Sequence, residues 1–335
     1  MIKTCGRLAE YRKNVAEAYL LLMLFVHPLY MREGFVHIGQ AKYIFYRNIS
    51  LLFMLITGIV LFFTWTKETI KLSITDKFVI LYSTACILSF CFSRYKVIAF
   101  IGLSGWNMGL FTQLMIVFGY FLVSRWYGDT DYAWYLVAGG VFLVSILTVS
   151  NRMGDDILHV FEQMDWWEWN RRNLLATIGN INWLCSYLVT AVSVLLCLHM
   201  ECSGMKRIFS EAGLLAVIAA ILLQGSMSGI LALVIVFLVL FHLCLERITG
   251  VIRWVEAVIT IPFTGCIIRI FNIDLILPIG SRVGRVMASP IWIPVFGLVF
   301  GVYITLYILR KKNVKWDGAF IKNENRHPGH HSRGF

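Results

Sequence analysis

Long apolar runs recur along almost the whole 335-residue chain and constrain its fold more than any other feature. Hydrophobic residues make up 59% of the chain and charged residues 15%, and the mean hydropathy is +0.73. Each run is near the roughly 20 residues that an α-helix needs to cross a bilayer. The backbone of a span must satisfy its own hydrogen bonds, and no series of short alternating segments is visible. The sequence therefore predicts an all-α, polytopic transmembrane helical bundle.

Ten spans are predicted from these runs. They cover residues 15–30, 49–65, 78–92, 108–123, 133–149, 178–199, 213–223, 229–245, 252–270 and 290–309. Lysine and arginine are more frequent on the amino-terminal side of the membrane, so both termini are expected in the cytoplasm. We expect a transmembrane bundle over 1–309 with an outward-facing interfacial segment at 151–177, and a basic, disordered cytoplasmic tail over 310–335. The expected location is the cytoplasmic membrane.

The charge and the cysteines exclude some other functions. The net charge of +11 comes from cations that cluster between predicted spans, so no nucleic-acid partner is expected. The eight cysteines include no CxxC pair and lie mostly inside apolar runs, which is typical of small hydrophobic residues. His327, His330 and His331 lack acidic or cysteine ligands at regular spacing, and a solvated basic tail explains them better than a metal site. The sequence predicts no cofactor and no metal.

Polar and aromatic residues concentrate in residues 155–189, DDILHVFEQMDWWEWNRRNLLATIGNINWLCSYLV. Apolar residues recur at helical spacing over 156–169, and the tryptophans suit the headgroup level, which predicts an amphipathic interfacial helix. An ordinary loop with aromatic anchors explains the same pattern. Arg171 and Arg172 follow, and an arginine pair at the end of a span is typical of headgroup anchoring.

A glycine and two asparagines then lie near the predicted outer end of the sixth span, at Gly179, Asn180 and Asn182. Such residues are unfavourable there unless they cap the helix, pack against another backbone or contact a ligand. Asn180 or Asn182 as a helix N-cap is the structural alternative to a binding role.

Three stretches resemble the O-antigen ligase and polymerase superfamily. Arg171-Arg172, then Thr177-Ile178-Gly179-Asn180-Ile181-Asn182-Trp183 and Tyr187-Leu188, are similar to its arginine and Thr-hydrophobic-Gly-Asn-x-Asn-aromatic segment, with Ile181 where many members carry proline. Gly105-Trp106-Asn107-Met108-Gly109-Leu110 and Tyr120-Phe121 are similar to a stretch of some members. Gln224-Gly225-Ser226-Met227-Ser228-Gly229 resembles a Gly-Ser turn that in many members continues with arginine, where this chain has Met227.

The resemblance implies transfer of a glycan from undecaprenyl pyrophosphate to an acceptor hydroxyl on the outer face of the membrane. The acceptor would be a glycan, a lipid or a wall polymer, and membrane lipids would surround the spans. Arg171 and Arg172 are expected to stabilise the leaving pyrophosphate, with Arg282 and Arg285 from another outward segment adding to the same phosphate site. Asp165, Glu168 or His159 would act as the base. Gly179, Asn180, Asn182 and Trp183 would bind substrate, and the transfer is expected to be metal-independent.

Two other readings stay open. One is a transporter of lipid-linked saccharides, although ionisable residues in the predicted spans are few, with Glu17 and Glu256 the clear cases. The other follows from a departure from the family, whose members usually continue into a large outward loop with further arginine and histidine. This chain ends instead in NVKWDGAFIKNENRHPGHHSRGF, as expected of a truncated, inactive member or of one that needs a second polypeptide.

Overall fold

A computed structural model describes residues 2–35, 37–63, 71–128, 130–160, 174–224, 226–245, 247–270, 286 and 289–312. The helices are α1 (Ile2–Leu20), a π-helix (Leu21–Val26), α2 (His27–Leu29), α3 (Ile38–Phe63), α4 (Ile74–Phe92), α5 (Lys96–Ile101), α6 (Leu110–Trp126), α7 (Tyr132–Met153), α8 (Ile181–Glu201), α9 (Met205–Leu223), α10 (Met227–Cys244), α11 (Ile248–Ile270) and α12 (Trp292–Lys311). Two short strands, β1 (Leu174–Leu175) and β2 (Gly179–Asn180), pair antiparallel before α8. The predicted all-α class is confirmed.

Six of the described helices are long and apolar enough to cross a membrane, namely α3, α4, α7, α8, α11 and α12. Helices α6 and α10 are apolar but shorter. Large apolar side chains such as Phe62, Phe92 and Leu298 are mostly exposed on these helices, which suits contact with lipid but not with water. The chain is therefore an α-helical membrane protein, as predicted, while the count of ten spans stays a prediction.

The start of the second predicted span is shifted toward the amino terminus. The apolar run predicts a span from residue 49, whereas α3 begins at Ile38 and includes Lys42 in its first turns. At the amino end, helical structure runs from α1 through the π-helix to α2 and ends after Leu29. Residues 30–37 separate α2 from α3, a shorter connection than the residues 31–48 that lie between the first two predicted spans.

Contacts divide the chain into two compact units, residues 1–191 and 192–335, and α8 runs from the first into the second. The core of the first unit contains Val15, Tyr19, Phe53 and Leu122, from α1, α3 and α6. The ring of Tyr19 packs on that of Phe53 at 5.3 Å between centroids. Aromatic packing of this kind joins the amino-terminal helix to the rest of its unit.

A buried carboxylate is neutralised within the same unit. Asp76 is 2% exposed and forms a capping box with Ser73 at the start of α4. Arg125 near the end of α6 donates to one of its oxygens at 2.7 Å, and Tyr120 donates to the other at 2.9 Å. Because all of these partners come from α6 or from the α4 cap, the charge fixes the relative position of the two helices.

The second unit is built on the packing of α11 against α9 and α12. Leu214, Val217, Ile218 and Ile221 of α9 are fully buried in it. Burial of such side chains stabilises the unit through dense packing, which is the main attraction between helices inside a membrane.

The predicted amphipathic helix over 156–169 is wrong for the residues that the structure describes. Helix α7 ends at Met153, and the following Gly154 has φ of 100°, the left-handed conformation that terminates a helix. Residues 155–160 then form a turn flanked by irregular backbone, with φ of 51° at His159. The helical spacing of apolar residues in this segment did not produce a helix over 155–160. These residues directly follow Gly154, which terminates α7. The remaining positions, 161–169, lie outside the described residues.

A close helix contact gives the first testable prediction. A Cβ on Gly140 of α7 would lie 3.0 Å from the backbone oxygen of Leu24 in the π-helix, whereas a Cβ on Gly58 of α3 would meet no described atom within 4 Å. We expect Gly140→Val to destabilise the protein by about 1–3 kcal/mol through overpacking. Gly58→Val is the matched control, since it makes the same change of helix propensity.

Thermal unfolding of the detergent-purified variants checks this prediction. The Gly140→Val midpoint should fall by several degrees more than that of Gly58→Val. Equal midpoints would show that α7 and the π-helix do not approach each other as closely as described.

Candidate functional site

The predicted site residues divide into two groups. Asp165, Glu168, Arg171, Arg172, Arg282 and Arg285 lie outside the described residues. His159, Gly179, Asn180, Asn182 and Trp183 are described, and the last four belong to the hairpin and the first turn of α8. His159 is exposed, in the turn that follows α7.

The asparagine motif folds as a tight hairpin. Leu174 pairs with Asn180 and Leu175 with Gly179, so the chain reverses within residues 176–178. The reversal uses left-handed backbone at Ala176, with φ of 50°, and at Gly179, with φ of 88°. A Cβ at Gly179 would also approach Ile38 of α3 to 3.3 Å. Glycine is therefore favoured at this position by both backbone conformation and close packing.

Two buried hydrogen bonds hold the tip of the hairpin. The backbone N–H of Ala176 donates to Oδ1 of Asn151 at 2.8 Å. The hydroxyl of Thr177 donates to the backbone oxygen of Pro28 at 2.7 Å, and the Thr177 side chain is buried. Since Asn151 belongs to α7 and Pro28 to α2, the hairpin tip is fixed to two helices that are distant in sequence.

Asn180 is the N-cap of α8. Its Oδ1 accepts the backbone N–H of Asn182 at 2.9 Å, two residues into the helix, and this is the usual capping geometry. The structural alternative that the sequence left open is thus present at Asn180. The cap uses the side-chain oxygen, and the amide NH2 of Asn180 is the group that suits a substrate oxygen.

An aromatic pair joins the hairpin to a second stretch of the chain. The ring of Trp183 meets that of Trp106 edge to face, with centroids 6.2 Å apart and planes at 77°. Both rings are substantially exposed, at 43% for Trp183 and 68% for Trp106. Gly39 of α3 lies beneath them, because a Cβ there would be 3.7 Å from the Trp183 ring and 3.5 Å from the backbone oxygen of Gly105.

The loop that carries Trp106 is itself ordered by polar contacts. Asn107 is 5% exposed, has φ of 50°, and donates from Nδ2 to Oε1 of Gln40 at 2.8 Å. Its backbone oxygen accepts the hydroxyl of Thr112. Gln40 and Gly39 adjoin each other in α3, so the same turn of α3 supports both the Trp106 loop and the aromatic pair.

Lys42 is a structural residue that sequence reasoning missed. Its Nζ donates to three backbone oxygens at the end of the first helical run, those of His27 at 2.9 Å, Pro28 at 3.1 Å and Tyr30 at 2.9 Å. The ring of His27 contacts the backbone oxygen of Lys42 in return, at 3.3 Å. The signal in the sequence was Pro28, because a helix that stops near a proline leaves carbonyls that need donors.

The described part of the site combines an exposed aromatic pair with the exposed side chain of Asn182 on one rigid support. Aromatic faces suit the apolar face of a sugar ring, and amides suit its hydroxyl and phosphate oxygens. Comparison with protein-family models, with curated proteins and with solved structures finds nothing that matches this chain.

Thr177→Val tests the attachment of the hairpin. The substitution keeps the side-chain shape and removes the hydrogen bond to Pro28, so we expect a loss of about 1 kcal/mol of stability. Thr190→Val is the control, because its hydroxyl bonds only to Ser186 of its own helix and is exposed. Thermal midpoints in detergent measure both, and a larger effect of the Thr190 change would contradict the described attachment.

Lys42→Met tests the charge at the end of the first helical run. Three carbonyls would lose a charged donor, so the expected loss of stability is about 2 kcal/mol or more. The exposed Lys77 of α4 supplies the control variant, Lys77→Met, whose unfolding midpoint should stay near that of the unmodified protein. Similar midpoints for the two variants would refute the role assigned to Lys42.

Proposed function

We propose that this chain is a membrane glycan transferase of the O-antigen ligase and polymerase type. It moves a saccharide from undecaprenyl pyrophosphate to an acceptor hydroxyl on the outer face of the cytoplasmic membrane, with ten spans and both termini in the cytoplasm. The observation that carries the proposal is the contact between Trp106 and Trp183. It joins two stretches that resemble the same family and that lie far apart in the sequence.

This contact supports the proposal because the two resemblances were drawn from separate segments. The sequence does not predict that residues 105–110 and 177–183 lie close together, since α6 and α7 separate them along the chain. A binding site requires its parts to be adjacent and rigid. The first condition is met by the aromatic pair, and the second by the bonds of Thr177 to Pro28 and of Ala176 to Asn151.

Only a short length of chain separates the arginine pair from the strand that pairs with Asn180. Arg171 and Arg172 precede Leu174 by three and two residues, and Leu174 pairs with Asn180. Three residues of chain span at most about 11 Å. A phosphate held by the arginines would therefore be near the sugar that the asparagines and Trp183 contact.

In the proposed reaction the acceptor oxygen forms a bond to the anomeric carbon while the bond from that carbon to the pyrophosphate oxygen breaks. The acceptor proton passes to Asp165, Glu168 or His159. Negative charge increases on the leaving pyrophosphate, and Arg171 and Arg172 stabilise it. Loss of one such fixed donor typically lowers a rate by about 100- to 1000-fold.

Asn182 and the amide NH2 of Asn180 orient sugar or phosphate oxygens, and Gly179 allows the close turn beneath them. The apolar faces of the spans hold the polyprenyl chain. The partners are the lipid-linked donor, the acceptor and membrane lipids.

Arg171→Ala tests the proposal. Membrane vesicles that contain the variant receive a lipid-linked glycan, and both its consumption and the undecaprenyl pyrophosphate formed are measured. We expect product to fall by at least about 100-fold while the protein inserts normally. Arg32→Ala is the control, since Arg32 is an exposed arginine of the predicted outward side that pairs with Glu33 at 3.3 Å.

Three outcomes count against the proposal. Unchanged product in Arg171→Ala would remove the phosphate site. Movement of the glycan across the membrane with its pyrophosphate bond intact would favour the transporter. An equal loss of product in Arg32→Ala would show that the effect is one of general surface charge.

A further inference from the structure

A polar cluster in the second unit lies outside the proposed glycan site. It consists of His199 near the end of α8, Arg207 and Glu211 in the first turns of α9, and Glu256 in α11. The sequence singled out only Glu256, as an ionisable residue inside a predicted span. Three helices thus bring one imidazole and two carboxylates together, and one ligand atom from each lies within 4.8 Å of the others.

The ring of His199 is held in one orientation. It is fully buried, and its Nε2 lies 3.0 Å from the backbone oxygen of Arg253. A carbonyl oxygen can only accept a hydrogen bond, so Nε2 carries the proton in the neutral ring and Nδ1 presents its lone pair. Within the described part of the chain, Nδ1 has no hydrogen-bonding partner. Leaving such a buried atom unpaired is unfavourable unless something binds it.

Carboxylates lie beside both ring nitrogens. Oε1 of Glu211 lies 3.6 Å from Nδ1, and the ligand atoms of a tetrahedral zinc ion are about 3.4 Å apart. Oε2 of Glu256 lies 3.7 Å from Nε2 of the same ring. The bond from Nε2 to a backbone carbonyl is also the arrangement that usually orients a metal-binding histidine.

We propose that His199, Glu211 and Glu256 bind a divalent transition-metal ion of the zinc type. Nδ1 of His199 supplies the nitrogen ligand and the two carboxylates supply oxygen ligands, a donor set that suits zinc. The site links the end of α8 to α9 and α11, and an ion there would stabilise the second unit.

Arg207 competes with the ion for the same carboxylates. Its guanidinium pairs with Glu211 at 3.2 Å and with Glu256, so it supplies the positive charge when no metal is bound. The Arg207 side chain is 28% exposed and long enough to move toward solvent. The proposal therefore predicts opposite effects for two kinds of substitution. Loss of a carboxylate weakens metal binding, whereas loss of Arg207 strengthens it.

The test uses the full-length chain, purified in detergent without a histidine tag and stripped with a chelator. His327, His330 and His331 are replaced by alanine in every protein compared, so that zinc bound by tail histidines does not contribute to the titration. Zinc is titrated against a chromophoric chelator, and cobalt is added separately to detect the absorption bands of tetrahedral coordination. We expect one zinc per chain and a rise in the thermal midpoint.

Glu211→Gln and Glu256→Gln should weaken zinc binding by at least about tenfold. Glu201→Gln is the matched control, because Glu201 lies two residues after His199 on α8 and lines a cavity to which none of the three proposed ligands contributes. Arg207→Met should bind zinc several-fold more tightly. Misfolding would lower the affinity for zinc, so an increase in the affinity of Arg207→Met cannot be explained by misfolding.

Absence of zinc binding at micromolar concentrations in the parent chain would overturn the proposal and leave an ion-pair network only. Equal weakening by Glu201→Gln, or weaker binding by Arg207→Met, would overturn it as well. The outcome is separate from that of the proposed transferase. The zinc titration needs no glycan donor, and the Arg171→Ala experiment needs no metal.

Discussion

The backbone oxygen of Pro28 is the point on which the first unit depends. It accepts a hydrogen bond from Nζ of Lys42 at 3.1 Å and another from the hydroxyl of Thr177 at 2.7 Å. A carbonyl at a helix end has no partner within its own helix, and in an apolar medium no water supplies one. Both lone pairs of this oxygen are therefore satisfied by side chains from other segments, and α2, α3 and the hairpin meet there.

The position of the candidate site follows from this constraint. The Thr177 bond fixes the hairpin, the hairpin ends in the Asn180 cap, and the cap begins α8 with Trp183 in its first turn. Lys42 draws α3 to the same point, which places Gly39 beneath the pair of Trp183 and Trp106. Exposed aromatic rings on loops are often adaptable. Here the two segments that carry the rings are held by three buried hydrogen bonds, those of Thr177 to Pro28, Ala176 to Asn151 and Thr112 to Asn107. A preorganised surface of this kind is suited to orienting a bulky substrate.

Sequence reasoning predicted the helical class well and the polar contacts poorly. Hydropathy identifies a span because the bilayer imposes a length and a composition on it. It does not identify the partner of a charged residue. Because of the charges of Lys42 and Arg47, the start of α3 was predicted to be a loop, although Lys42 donates to three backbone carbonyls. The turn at Gly179 and the cap at Asn180 were recognisable locally. Asn151 was not, because its role depends on a contact with Ala176 that only the folded chain creates.

One rule connects the polar groups of both units: a charge inside the helical bundle is retained where a partner from another helix meets it. Asp76 is met by Arg125 and Tyr120, and Lys42 by the carbonyls near Pro28. Glu256 is met by Arg207, but the adjacent Nδ1 of His199 is met by no donor among the described residues. A network in which every polar group has a partner is explained by its structural role alone. In the cluster around His199, a fully buried imidazole lies beside two carboxylates from other helices, and this set of donor atoms is why we propose a metal site there.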